Sequence, residues 1–265
     1  MDLGLHGRVA IVCAASQGLG RAVALGLARE GAHTVVCSRN RRRIVQAARE
    51  IAADPRVRTS VLPMVADLTR AQDVRAIVER TVKRFGRVDI LVTNAGGPPV
   101  AAFMELDDRA WERGVRLTLM SAVRCIRAVL PHMRRRQWGR IINITSIAAR
   151  QPVDDLVISS TLRPGILGMT KVLANRHARE GITVNSVAPG FILTGRQQEI
   201  AEARGKTLGI SQAQYLKRVA REIPAGRLGT PDELAHMVVF LASERASYVT
   251  GATVSVDGGL SKGLY

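Results

Sequence analysis

The first residues that could do chemistry lie near the start of the chain. Val9 to Gly20 reads Val-Ala-Ile-Val-Cys-Ala-Ala-Ser-Gln-Gly-Leu-Gly, an apolar β-forming run that enters a helix through a turn of small residues. Gly18 and Gly20 allow a backbone to approach a pyrophosphate closely, and the first N–H groups of the following helix turn a positive dipole end toward it. A tight strand-to-helix turn that binds nothing is the other reading of the same residues. Cys13, Cys37 and Cys125 are odd in number, lack metal-ligand spacing and sit in apolar runs. They predict buried, reduced thiols in a cytosolic protein, with neither disulfide nor zinc.

A phosphate cradle of this kind needs strands alternating with helices, and the whole chain supplies that alternation. Apolar β-rich runs occur at 8–13, 34–38, 57–65, 89–93, 139–145, 183–187 and 253–256, with helical patterns at about 18–30, 40–53, 70–85, 107–135, 156–180 and 230–243. Continuously apolar strands separated by helices predict an α/β fold: a Rossmann-type, doubly wound, parallel seven-stranded sheet with helices on both faces. No linker interrupts residues 1–265, so a single domain is expected. The polar segment 194–225, helical in parts at 197–203 and 212–222, breaks the rhythm where a lid over a cleft would lie.

Composition removes several function classes. With 46% hydrophobic and 23% charged residues, disordered, collagen-like and disulfide-scaffold chains are excluded. The apolar runs are too short to cross a bilayer, and the first 20 residues lack a basic start with a long apolar stretch, so a cytoplasmic protein with no membrane span is expected. The 39 basic and 22 acidic residues leave a net charge of +17, which raises the question of nucleic acid. Aromatic residues make up only 3%, too few for a stacking platform, and Arg41–Arg43 and Arg134–Arg136 fall at predicted helix ends. A solvated basic surface is the expectation, not a nucleic-acid site.

Six further stretches make the chain resemble the short-chain dehydrogenase/reductase family, especially its bacterial 3-oxoacyl-acyl-carrier-protein reductase branch. They are Ala14-Ala-Ser-Gln-Gly-Leu-Gly20, Asp67-Leu68, Thr93-Asn-Ala-Gly96, Arg140-Ile-Ile-Asn-Ile-Thr-Ser146, Gly181-Ile-Thr-Val-Asn-Ser-Val-Ala-Pro-Gly190 with Thr194, and Val249-Thr-Gly-Ala-Thr-Val-Ser-Val-Asp-Gly-Gly259. The resemblance implies that Ala14, Ser16, Gln17, Gly18, Leu19 and Gly20 hold a dinucleotide pyrophosphate, with Ala14 standing where the family has its first glycine. It further implies that Asp67 bonds the adenine amino group beside Leu68, and that Asn94, Ala95 and Gly96 line the ribose. Pro189, Gly190, Ile192 and Thr194 would hold the nicotinamide carboxamide. The second strand ends in Ser38-Arg39, with no carboxylate to grip a ribose diol. A hydroxyl and a fixed cation suit a 2′-phosphate, which favours NADP(H) over NAD(H).

The family surrounds its substrate carbonyl with a serine, a tyrosine, a lysine and an asparagine. The tyrosine gives the proton, the lysine lowers the phenol's pKa and binds the ribose, and the serine positions the carbonyl oxygen. Aligned without a gap, this chain keeps Ser146 but has Ser159 at the tyrosine position, Arg163 at the lysine position and Thr118 at the asparagine position. An aliphatic hydroxyl is a far weaker acid than a phenol, while Arg163 keeps a positive charge and a fork that can bind the cofactor ribose but does not exchange protons near neutral pH. Ordinary tyrosine-based reduction is therefore not expected. Tyr215, Tyr248 and Tyr265 offer no evident substitute. Asp154 and Asp155, near the start of the predicted helix 156–180, would be an acid or base only if buried and otherwise read as helix-start charges, and His132 and Lys171 read as structural residues. Two readings follow: an atypical NADP(H)-dependent oxidoreductase for a small-molecule or acyl-thioester carbonyl or alcohol, or a non-catalytic nucleotide-binding sensor or scaffold. The resemblance also implies a homo-oligomer, a tetramer paired through helices 107–135 and 156–180 and the last strand.

Overall fold

Alternation along each strand divides the core between two faces of one sheet. The sheet comprises β1 (Val9–Val12), β2 (His33–Ser38), β3 (Val61–Val65), β4 (Ile90–Thr93), β5 (Gly139–Ile144), β6 (Ile182–Pro189) and β7 (Thr253–Val256), as described by a computed structural model covering residues 1–263. Ala10, Val12, Val36, Ile90, Val92 and Ile142 point to one side; Ile11, Val35, Cys37, Leu91 and Ile141 point to the other. On the first side they pack against α1 (Gly18–Arg29), α2 (Arg41–Ala52) and α9 (Pro231–Ala242) through residues such as Val23, Leu27, Ile44, Ile51, Leu234 and Val238. On the second side they meet α3 (Ala71–Phe85), α5 (Met120–Arg136) and α6 (Val157–His177) through Val74, Ile77, Ile126, Val129 and Ala174. Cys13, Cys37 and Cys125 are all buried and free, in the second layer.

All strand pairs are parallel, in the order β3-β2-β1-β4-β5-β6-β7. The expected doubly wound, Rossmann-type seven-stranded sheet is therefore present, and its strand order reverses between β1 and β4. Such a reversal opens a crevice beyond the carboxyl ends of the strands.

Three boundaries depart from the sequence reading. β3 begins at Val61 rather than at 57, because Val57 closes a turn onto Asp54 O (2.9 Å) and the Thr59 hydroxyl donates to Ala32 O (2.8 Å) before pairing starts. The single helix expected at 107–135 consists of α4 (Asp108–Gly114) and α5, joined by a wider π-helical turn at Val115–Leu119. The segment 194–225 contains α7 (Gly195–Leu208) and α8 (Gln212–Glu222), so it is more helical than its sequence suggested. No helix among the described residues is long and apolar enough to cross a membrane.

Candidate dinucleotide and substrate cleft

A cleft of about 860 Å³ opens at the strand-order reversal. Its walls come from the loops after β1, β2, β3, β4, β5 and β6 together with the first turns of α1 and α7. Most of the residues named from sequence meet there: Ala14, Ser16, Gln17, Gly18, Leu19, Ser38, Arg39, Asp67, Leu68, Asn94, Ala95, Gly96, Ser146, Arg163, Pro189, Gly190, Ile192 and Thr194 all line it. Gly20, Thr118 and Ser159 do not.

At the phosphate end, Gln17 begins α1 in an extended conformation and its side chain caps nothing, which leaves the first helical N–H groups to face the cleft. Gly20 acts one layer back: a Cβ there would lie 2.5 Å from Ala14 O, so glycine lets the helix seat directly on the turn. Ala14 and Gly18 both have left-handed backbones, with φ of +48° and +55°. Glycine adopts this region freely, whereas for alanine it costs about 1–2 kcal/mol, partly offset by alanine's smaller unfolded-state entropy. Ala14→Gly is therefore expected to stabilise the chain by about 0.5–1 kcal/mol, read as a rise of about 1–4 °C in Tm. A lower Tm would contradict the strain argument.

Beyond β2, the cleft wall contains Ser38, Arg39, Asn40 and Arg43. Asn40 caps α2 by accepting from Arg43 N (2.9 Å), and the helix then begins with three arginines and no acidic residue in its first turn. Cations at a helix N-terminus are disfavoured by about 0.3–1 kcal/mol each. Neither Arg39 nor Arg43 makes an ion pair among the described residues. Two guanidiniums without ion-pair partners among the described residues thus line this wall. Arg43 was not singled out from sequence, since an arginine three positions into a helix carries no motif.

Asp67 accepts from Thr69 N (2.9 Å) and Thr69 Oγ1 (2.8 Å). Burial works to raise its pKa, but these two donors, with Arg39 and Arg70 nearby, hold the carboxyl below its ordinary value. An ionised acceptor is thus fixed in the cleft wall after β3.

The reacting end has different chemistry. Ser146 accepts from Ala148 N (3.1 Å), leaving its hydroxyl hydrogen to donate into the cleft. Nearly two turns into α6, Arg163 Nε donates to Ser159 Oγ (2.8 Å) and Nη1 donates to Thr145 O (2.7 Å). Ser159 is 4% exposed and lies behind Arg163, outside the cleft wall. Thr118 is enclosed in the π-helical turn, and its Oγ1 has no hydrogen-bond partner. A longer amide would be needed to extend from that turn. Burial pushes the Arg163 guanidinium down to about 10.

Among the described residues, no histidine, cysteine or tyrosine lines the cleft. Tyr248 is fully exposed, Tyr215 in α8 does not line the cleft, and Tyr265 lies outside the described residues. Asp155 pairs with Arg204 at 3.2 Å, while its carbonyl accepts from Ala101 N (2.9 Å) and so ties the loop after β4 to the approach to α6. Asp154 is exposed, His132 contacts Arg135, and Lys171 packs near Gly251. None of them lines the cleft.

Ala66, Gly97, Leu117, Thr145, Gly195, Arg196, Gln197 and Ile200 complete the lining and were not named from sequence as site residues. Thr194 caps α7 by accepting from Gln197 N (3.2 Å), which turns the first residues of that helix across the cleft mouth. Its position after the Pro189–Thr194 loop was the one available signal.

The residues present fit a dinucleotide: an open helix N-terminus for the pyrophosphate, a fixed carboxylate for adenine and free cations for a further phosphate. The family described as enoyl-(acyl carrier protein) reductase matches residues 13–261. The 3-oxoacyl-[acyl-carrier-protein] reductase of Thermotoga maritima is 31% identical over 97% of this chain and 98% of its own length. The short-chain reductase NovJ of Streptomyces niveus is 38% identical over 95% of this chain and 93% of its own. The L-sorbose reductase of Gluconobacter frateurii, solved in complex with NADPH and L-sorbose, matches over 100% of both chains at 38% identity, with a TM-score of 0.95. With the sheet, the cleft and these relatives in agreement, the chain belongs to the short-chain dehydrogenase/reductase family.

Proposed function

We propose that the chain is an NADP(H)-dependent oxidoreductase of a small-molecule carbonyl or alcohol that works without the family's phenolic proton donor. The observation that carries this reading is the pairing of a complete dinucleotide cleft with a reacting end occupied by Ser146 and Arg163. When bound, the nicotinamide supplies or accepts hydride. Gly18 and the α1 N-terminus hold the pyrophosphate, Arg39 and Arg43 take the 2′-phosphate, and Asp67 takes the adenine amino group. Pro189, Gly190, Ile192 and Thr194 orient the carboxamide. Ser146 donates to the substrate oxygen, Arg163 holds positive charge beside it, and solvent water supplies the proton.

Residues 194–225 act as a lid: α7 crosses the cleft mouth, and Arg196, Gln197 and Ile200 face inward. Three buried free thiols suit a reducing, cytoplasmic setting. NovJ and the Thermotoga reductase bear names of reductases, and the L-sorbose reductase was crystallised with NADPH; these support the reading. Calorimetric titration with NADPH, followed by a carbonyl screen read by nicotinamide absorbance, tests it. Binding with turnover of any carbonyl compound is the expected outcome.

The enclosure of Ser159 and Thr118 favours a second reading, a non-catalytic dinucleotide sensor or scaffold. Tight NADPH binding with no turnover across the screen would select it.

A homotetramer is the third part of the proposal. Val172 on α6 and Phe240 on α9 are exposed apolar residues on two helices that flank the pairing surfaces expected from the family. Light scattering at micromolar concentration is expected to give about four times the 28.7 kDa chain mass. A monomer would contradict it.

A further inference from the structure

Arg163 is an unusual charge for its position. The residue is only 9% exposed, yet among the described residues no carboxylate pairs with it. Buried guanidiniums are ordinarily matched by an anion, because removing the charge from water is costly unless an opposite charge compensates. Here two edges of the fork are satisfied by neutral acceptors, Ser159 Oγ and Thr145 O. Among the described residues Nη2 has no hydrogen-bond partner and is not enclosed, and the side chain lines the cleft, so this edge opens into it.

The neighbouring wall strengthens the asymmetry. Ser146 has its oxygen engaged by Ala148 N and its hydroxyl hydrogen available. Leu117, Thr145, Pro189, Gly190 and Gly96 add no carboxylate; the one acidic residue lining the cleft is Asp67, beside Leu68 at the adenine end and already engaged with Thr69. The reacting end therefore presents an uncompensated cation and a spare hydroxyl donor with no anionic acceptor. The dinucleotide's phosphates belong, in the reading above, to the α1 N-terminus and to Arg39 and Arg43. The anion that completes this end must come with the second ligand.

We infer that Arg163 is a substrate-binding residue for a carboxylate, and that the chain selects small oxo or hydroxy acids in which the carboxylate lies close to the reacting carbon. A planar guanidinium offers parallel N–H donors to carboxylate oxygens, a match that a lysine ammonium makes only as a point charge. Ser146 donates to the same small ligand. The inference rests on the proposed dinucleotide cleft for the direction in which the ligand lies, but not for the existence of the anion site.

The test is calorimetric titration of the full chain, saturated with NADP⁺, with pyruvate and with acetoacetate, each against its uncharged amide. Because the oxidised dinucleotide carries no hydride to give, binding is read without turnover. A charge-assisted hydrogen bond contributes about 1.5–3 kcal/mol, so at least one acid is expected to bind about 10–100-fold more tightly than its amide. Arg163→Met should abolish that preference, and Arg163→Lys should retain part of it. Far-ultraviolet circular dichroism and thermal melts establish that both variants are folded. Arg75→Met, on the exposed face of α3 and outside the cleft, should leave the preference intact. Equal binding of acid and amide, no binding of either acid at millimolar concentration, an unchanged preference in Arg163→Met, or exclusion of the acids by NADP⁺ would each overturn the inference.

A titration with NADP⁺ alone separates this outcome from failure of the cofactor reading. If NADP⁺ does not bind and the Arg163-dependent acid preference persists in the free chain, the cofactor reading fails and this site stands. If NADP⁺ binds and Arg163→Met weakens only the dinucleotide, Arg163 serves the cofactor ribose and the carboxylate site fails.

Discussion

Reduction of a standard 3-oxoacyl thioester by this chain is expected to run about 10²–10⁴-fold slower than in a tyrosine-bearing relative, because that is the usual contribution of a positioned general acid. The structure gives the deficit a physical form. Ser159 lies behind the Arg163 guanidinium, 2.8 Å from Nε, and does not line the cleft. A thioester also brings no carboxylate to Arg163. Ser159→Tyr alone would drive a phenol into the space that the guanidinium occupies, so the single change is not the restoring one. The triple change Thr118→Asn, Ser159→Tyr, Arg163→Lys exchanges the three residues together and is expected to recover much of the lost rate. Steady-state kinetics under saturating NADPH measure it. Rapid wild-type turnover that survives Ser159→Ala and Arg163→Met would show that the proton comes from elsewhere.

Cofactor choice gives the second large effect. NADPH is expected to bind more tightly than NADH, and Arg39→Asp or Arg43→Ser to weaken NADPH by about 10–100-fold while changing NADH much less. The reasoning is electrostatic: Arg39 and Arg43 line the cleft beside Ser38 without ion-pair partners among the described residues, and α2 begins with three arginines at the end its dipole makes unfavourable for them. A 2′-phosphate between these groups relieves that repulsion. Arg39→Asp goes further, since it places a carboxylate where a ribose diol would lie. Equal affinities for the two dinucleotides, unchanged by either substitution, would remove the phosphate site from the account.

The sheet was legible because its strands are rich in Val, Ile and Leu and alternate with helical patterns, so pattern and burial coincide along most of them. Boundaries were less legible where local sequence did not distinguish pairing from turning. Val57 is buried and β-branched, like a strand residue, but serves as the anchor of a turn before β3. The π-helical turn at Val115–Leu119 left no trace in a pattern with helical period throughout, since one widened turn shifts the apolar face only slightly.

The site divides similarly. Residues in contiguous motifs, such as Ala14 to Leu19 or Asn94 to Gly96, line the cleft as expected. Arg43, Leu117 and Arg196 reach it from the interiors or first turns of helices, where only three-dimensional packing decides which side chains face inward. Sequence position identified Ser159 and Thr118 as replaced residues. It did not reveal that shorter side chains at those points withdraw behind the wall, leaving Arg163 to face the cleft in their place.

The proposed function needs a working dinucleotide cleft whose reacting end has no titrating proton donor. Single-turnover hydride transfer from bound NADPH to a 3-oxoacyl thioester, followed by nicotinamide absorbance across about pH 6–9, tests it most directly. A phenol or imidazole donor would impose a step in that range, whereas Ser146 and a guanidinium near 10 impose none. A slow rate with no titration step is expected. A fast rate that falls through one apparent pKa inside that range would contradict it.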